Sequence, residues 1–507
     1  MTALVGIDLG TTNSAIAILD HTGRPEIVPN AEGDHVTPSV VFFELDGAAT
    51  SVGQAAKDNT IVYPDRVFHE FKRSMATNAP VSVDGRQVTP VELSSLVLRK
   101  LVEDATERKG DIRGAVITVP ANFTNEARVA TIKAGEQAGL KVTHIINEPT
   151  AALFYYSYHK PVSGTVVVYD FGGGTLDVSI ARVSGKNVEI VTSKGDPRLG
   201  GIDFDRKLSE VIRRTFEAST GEKFDERTHQ LGKTPEEYKK QLTTRNDCAV
   251  QIVGGKTGRK ILTITRQEFE IATATLISKA DLLVDSTLDE AGLRPADVTH
   301  VFLVGGSTRM PMVTAHLEKL FGKPPVCHVN PDEVVALGAA LYAGFSAEEK
   351  DLNAAQKSVV SSMQLQEVAN HFFGTICQTE DAAGRQRLRN SIIIEKNTPL
   401  PCSKTEPYYT VRPGQRAVDV SVTQSATRED DPDFVRTIWE GALGPFPEGR
   451  PANMEIRVTY SYDTNQIMHC RFEDVASGLT KEIDVGVKSA PGQSNLDGVD
   501  RILIDDE

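Results

Sequence analysis

At 507 residues the chain is long enough for about three domains, each with its own core. A net charge of −14, the lack of any long basic run and an aromatic content of 6% argue against nucleic acid as a partner. The N-terminus passes almost at once into an apolar strand, and no apolar run is long enough to span a bilayer, so the expectation is a soluble, cytoplasmic protein with no membrane partner.

In chain order, an apolar run at residues 4–7 leads into Asp8-Leu9-Gly10-Thr11-Thr12-Asn13 and then a second strand-like stretch at 15–19. Glycine there lets backbone N–H groups approach phosphate oxygens, threonine adds hydroxyl donors, and Asp8 suits a hydrated Mg²⁺. A tight hairpin explains the same residues structurally. Lys72, in Phe68-His69-Glu70-Phe71-Lys72-Arg73, reads by itself as a surface charge. Helices are predicted over 91–109, opened by Thr89-Pro90, and over 125–138, with a buried strand from Ala115 stopped by Pro120 between them. Glu148, between an apolar strand and Pro149, is either a fixed carboxylate able to orient water or a cap for a helix starting near Ala151.

A second copy of the first motif follows: strand 166–169, then Asp170-Phe171-Gly172-Gly173-Gly174-Thr175, then strand 176–180. Two such turns facing each other would clamp a triphosphate, and their co-occurrence favours that site over two unrelated hairpins. Gly255-Lys256-Thr257 is no P-loop, because Val250 stands where the first glycine belongs and the flanks read as a hairpin. A helix over 266–291 ends at Gly292, and a third apolar strand, 301–304, opens into Gly305-Gly306-Ser307-Thr308-Arg309. That turn is an ordinary strand end or a nucleoside contact, with Arg309 stacking on a base. Alternating strands and helices to about residue 345 make this part α/β.

Residues 346–357 are charged and helix-friendly, 358–362 read as a connector, and a boundary is placed here. Beyond it Val418, Val420 and Val422 alternate with Asp419, Ser421 and Thr423, and strands at 456–462 and 466–472 frame a turn at Asp463-Thr464-Asn465. This is an antiparallel β module with one wet face, followed by an acidic tail. Cys248, Cys327, Cys377, Cys402 and Cys470 lack any C-x-x-C pair and read as reduced structural thiols.

Together these residues resemble the DnaK-type heat-shock protein 70 chaperones. The likeness runs to about Lys488 and is densest at 6–13, 115–152, 168–180, 199–204 and 301–343, where Asn330-Pro331-Asp332-Glu333 also fits. It implies a two-lobed, actin-like ATPase domain (1–345), a linker (346–364), a β-sandwich peptide-binding domain (365–490) and a tail (491–507). It implies ATP, Mg²⁺ and K⁺ as cofactors, with Asp8 and Asp170 holding the metal through water. Gly10, Thr11, Thr12 and Asn13 would bind phosphate from one lobe, and Gly172, Gly173, Gly174 and Thr175 from the other. Lys72 would be the catalytic lysine, and Glu148 would position water and relay a domain signal with Pro120 and Arg128. Glu236, Lys239, Lys240 and Thr243, spaced to share one helical face, would hold adenosine opposite Gly305, Gly306, Ser307, Arg309 and Asp332. Phe373, Thr375, Tyr408, Val411, Val418 and Val420 would line a peptide groove, although valines in such a pattern also read as sandwich core.

The implied partners are unfolded, extended apolar polypeptides, a J-domain co-chaperone and a nucleotide-exchange factor. Three departures shape the expectation. The spacing from Lys72 to the Ala115 strand and the 216–236 segment are short, which alters exchange-factor docking. The linker lacks an acidic, leucine-rich run, which implies weak interdomain coupling. The chain stops after the β module, which implies no helical lid and fast peptide release. The leading expectation is an ATP-dependent chaperone. A regulatory or scaffold protein with one specific partner is the alternative, and a small-molecule kinase must explain the β module.

Overall fold

Each repeated motif sits at the bend of an antiparallel hairpin flanked by a parallel strand. In the computed structural model, which describes residues 3–45, 49–326, 329–380, 386–485 and 503–504, Ala3–Asp8 pairs antiparallel with Asn13–Leu19 and parallel with Ile112–Val119, which Val142–Asn147 extends. Val162–Phe171 pairs antiparallel with Leu176–Gly185 and parallel with His300–Val304. Val5, Ile7, Val166, Val167 and Val168 are wholly buried, as strands covered on both faces are.

The helices Glu148–His159 and Val334–Phe345 lie between the two sheets. Ala151, Phe154, Tyr156, Val335 and Tyr342 share one apolar cluster with Val116 and Ile146 of the first sheet and Val166 and Val168 of the second. The helices meet at their backbones, since a Cβ on Gly338 would stand 1.8 Å from Ala151 O. The helices Pro90–Lys109, Pro235–Thr244 and Arg266–Glu290 each open on a capping box, built by Thr89 with Glu92, Thr234 with Glu237 and Thr265 with Glu268. The Gly255-Lys256-Thr257 segment turns between Asp247–Gly254 and Gly258–Thr265, a hairpin as expected.

The C-terminal module is two four-stranded antiparallel sheets, Gln386–Ile394/Phe372–Glu380/Val418–Ser425/Arg436–Leu443 and Cys402–Tyr409/Glu455–Tyr462/Met468–Asp474/Leu479–Asp484. Val422, Leu443 and Phe446 from one side meet Val458, Tyr460 and Phe472 from the other. The wet face expected along residues 418–423 is only partly wet. Ser421 and Thr423 are buried, because the Ser421 hydroxyl accepts from Ile376 N at 2.9 Å and Thr423 Oγ1 donates to Asn390 Oδ1 at 2.6 Å.

The stretch read as a connector is ordered. Ala354–Val360 is helical, capped by Asn353, and Gln364–Gln366 joins the second sheet as a strand parallel to Asn187–Asp196. Further contacts seat the module on the first part. Asn370 Nδ2 donates to Ala121 O at 2.9 Å, Asn147 Nδ2 to Glu367 at 3.3 Å, and Asn397 Nδ2 to Glu290 at 3.0 Å, while Lys396 pairs with Glu290 at 2.8 Å. The expected tail lies outside the described residues apart from Leu503–Ile504, which pairs parallel with Ala49–Val52. Cys248, Cys377, Cys402 and Cys470 are free thiols, and Cys327 lies outside the described residues.

Candidate active site

Both hairpin bends are braced from behind. Gly10 O accepts from Ser39 Oγ at 2.8 Å and Gly10 N donates to Ser14 Oγ at 3.1 Å. In the second bend Gly172 O accepts from Ser307 Oγ at 2.7 Å and Gly174 O from Arg73 Nε at 2.9 Å. The bends face each other closely. A Cβ on Gly173 would lie 1.8 Å from Thr12 Oγ1, and one on Gly174 2.4 Å from Thr11 Oγ1. Only glycine leaves that gap open for a ligand's oxygens.

Asp8, Gly10, Thr11, Thr12, Asn13, Lys72, Glu148, Asp170, Gly172, Gly173, Gly174 and Thr175 all line one cavity of about 580 Å³. Glu236, Lys239, Lys240, Thr243, Gly305, Gly306, Ser307, Arg309 and Asp332 line its other end. Lys72 is not the surface charge its local sequence suggests. It sits in the 3₁₀ turn Phe71–Ser74, is 4% exposed, and is ion-paired with Glu148. Glu148 does not cap a helix starting at Ala151, because the helix begins at Glu148 itself, with Asn147 as its N-cap.

The inner end concentrates negative charge. Burial, then the neighbouring Glu148, push Asp8 up to about 7 and Asp177 up to about 8, and raise Asp170 in the same way, while Lys72 opposes all three shifts. Asp170 Oδ2 and Thr12 Oγ1 are buried with no hydrogen-bond partner among the described residues. Paired hard oxygen donors with an unsatisfied atom suit a divalent cation. Among the described residues no cluster of three or more ligating side chains is present.

At the outer end, Lys239 donates to Gly201 O at 2.8 Å and pairs with Asp205 at 2.8 Å. Glu236 bridges Lys57 at 2.6 Å and Lys240 at 2.9 Å, and against the opposing effect of burial these cations hold it down to about 2. Arg309 is gripped by Asp332 at 2.7 Å and Asn330 at 2.6 Å. Lys57, Asp34, His35 and Asp205 also line the cavity. Sequence reasoning missed them, since none stands in a motif and only the packing of their loops and helices brings them to the cavity.

A second cavity, about 680 Å³, opens in the C-terminal module. Thr375, Tyr408, Val411, Val418 and Val420 line it, together with Tyr409, Leu388, Asp419 and Glu440. Phe373 does not. The pairing register slips between Phe373 and Gly374, and Phe373 turns into the core, fully buried with its ring 4.9 Å from that of Tyr462. Tyr409, Val411 and Leu388 are exposed apolar side chains on the rim.

A family model described as Hsp70 protein matches residues 4–80 and 76–505, nearly the whole chain. The chain belongs to the Hsp70 family. Hsp70 membership carries a chaperone-type, ATP-binding function, and Hsp70 proteins are ATPases that use ATP with Mg²⁺ and generally bind unfolded polypeptides and co-chaperones. Among the described residues no helix is long and apolar enough to cross a membrane.

Proposed function

We propose that this Hsp70-family chain hydrolyses ATP in the first cavity and binds extended apolar peptide segments in the second, with the two coupled through the docked 364–366 strand. Residues 1–345 would form a two-lobed, actin-like ATPase, 346–364 the linker and 365–490 a β-sandwich peptide-binding domain. The observation that carries the reading is the meeting of the two hairpins over Asp8 and Asp170, with the buried Lys72–Glu148 pair alongside.

In this reading backbone N–H groups of residues 10–13 and 172–175, with the Thr11, Thr12 and Thr175 hydroxyls, hold the phosphates. Asp8 and Asp170 would hold hydrated Mg²⁺, which when bound neutralises phosphate charge. Lys72 supplies a desolvated positive charge against the transferred group, and Glu148, fixed at a helix start, orients the attacking water and accepts its proton. Little covalent chemistry falls to the protein, so positioning and electrostatics supply most of the acceleration.

In the second cavity an extended peptide would lay one apolar side chain against Val418 and Val420 under Val411 and Tyr408, its backbone hydrogen-bonding to the rim. Glu367, just after the docked strand, accepts from Asn147, next to Glu148, and Arg128 Nη2 donates to Asn147 Oδ1 at 2.8 Å. These bonds tie the segment after the docked strand to the residue beside Glu148, which supports a route for coupling despite the linker's composition. The test is fluorescence anisotropy of a labelled apolar peptide with ATP and with ADP, beside Mg²⁺-dependent phosphate release. Weaker peptide binding with ATP, and loss of hydrolysis in Asp8→Asn, are expected. Equal affinity in both nucleotides would leave a regulatory binding protein as the better reading.

A further inference from the structure

His35 reaches the first cavity from a side that the proposed chemistry does not use. Its loop, between Pro25–Ile27 and Thr37–Pro38, is braced by Asn30: Asp34 N donates to Asn30 Oδ1 at 2.7 Å, Asn30 N to Asp34 O at 2.9 Å, and Arg108 of the long helix to Asn30 O at 2.6 Å. From this loop His35 Nδ1 lies 2.9 Å from Glu333 Oε1. The same oxygen accepts from Asn330 Nδ2 at 2.6 Å, and Asn330 Oδ1 accepts from Arg309 Nη2 at 2.6 Å. Arg309 then closes on Asp332 at 2.7 Å. An unbroken polar chain thus runs from a loop beside the first sheet to an arginine on the turn that ends a strand of the second. Arg309 is half exposed, and a long side chain in that setting keeps one rotamer only when its partners are themselves held.

We propose that His35 is a positioning residue that sets how long nucleotide stays bound, acting through Glu333 and Asn330 to hold the Arg309 guanidinium over the nucleoside. The inference rests on the nucleotide reading of this cavity. Asn330 uses its carbonyl toward Arg309 and its amide N–H toward Glu333, so it transmits the constraint in one orientation. With His35 gone, Glu333 keeps only its bond from Asn330, the Glu333–Asn330 pair loses its tie to the loop, and Arg309 rests on a partner that is less firmly fixed.

The test times the release of ADP carrying an N-methylanthraniloyl label, chased with excess ADP in a stopped-flow instrument. Loss of one charge-assisted hydrogen bond predicts release about three- to tenfold faster in His35→Ala. His35→Gln, whose amide N–H can still reach Glu333, is expected to restore the rate to within about twofold of the parent, a rescue that a merely structural role does not produce. Glu333→Ala and the double variant are expected to accelerate release no more than His35→Ala does, because the residues act in series. Release from His35→Ala at the parental rate, or a double variant showing the product of the single effects, overturns the proposal. A parent protein that binds no labelled ADP overturns the nucleotide reading and the proposal with it, so the two failures are told apart.

Discussion

Lys72→Ala takes a buried ammonium out of a nest of carboxylates. Asp8, Asp170 and Asp177 each feel its charge, which opposes the upward push of burial and of Glu148. At 4% exposure Lys72 is screened little by salt. Losing one preorganised charge of this kind costs about 2.7–4 kcal/mol of transition-state stabilisation, or about 10²–10³ in rate. Asp8, already at about 7, climbs further and is more protonated at neutral pH, so Mg²⁺–nucleotide affinity falls as well. That proton uptake also relieves the uncompensated negative charge, so the variant stays folded. The assay is single-turnover hydrolysis of labelled ATP at saturating Mg²⁺, with a thermal melt as the control for folding. A rate within tenfold of the parent, in a variant that melts as a folded protein, refutes the placement of Lys72 at the chemistry.

Three further outcomes follow from the docked module. Lys396→Ala removes a charged partner of Glu290, which Lys396, Thr192 and Asn397 together bring down to about 2 against the opposing effect of burial. Docking should weaken by about 1.5–3 kcal/mol, read as lower energy transfer between dyes on the two parts. Burial, then the nearby Arg128 charge, hold the His371 ring down to about 3, so the docked form takes the neutral ring. Docking stability is therefore intact above the ordinary histidine value of about 6.5 and is lost as pH falls below it. At pH 5.5 the loss is about 1.4 kcal/mol relative to a form with the ring in water, and His371→Gln should flatten the profile of the same dye pair. Val418→Phe adds bulk to the wall of the second cavity and should weaken binding of an apolar peptide by at least about tenfold, measured by anisotropy.

The two hairpins were legible because their signals are local. An apolar run, an aspartate and a set of small residues recur at both places, and each bend is made within a dozen residues. Helix starts were legible for the same reason, as at Thr89 and Thr265. Lys72 was not legible from its neighbours, because its buried partner Glu148 stands 76 residues away, and its case rested on the family resemblance. Phe373 was expected at the groove, but its ring packs into the core beside Tyr462, and which side chain a strand turns to the core is decided by what packs on it in space. The 364–366 segment looked like a poor linker by composition, yet its backbone pairs with the edge of a sheet, and backbone pairing asks little of side chains.

What the chain alone determined, then, is where the two hairpin bends fall, since glycine, threonine and aspartate act on the backbone beside them. Only the tertiary structure decided which distant charges meet: Lys57 on Glu236, His35 on Glu333, Lys396 on Glu290. An ion pair is set by distance in space, and spacing along a chain carries no measure of that distance until the strands and helices between have packed.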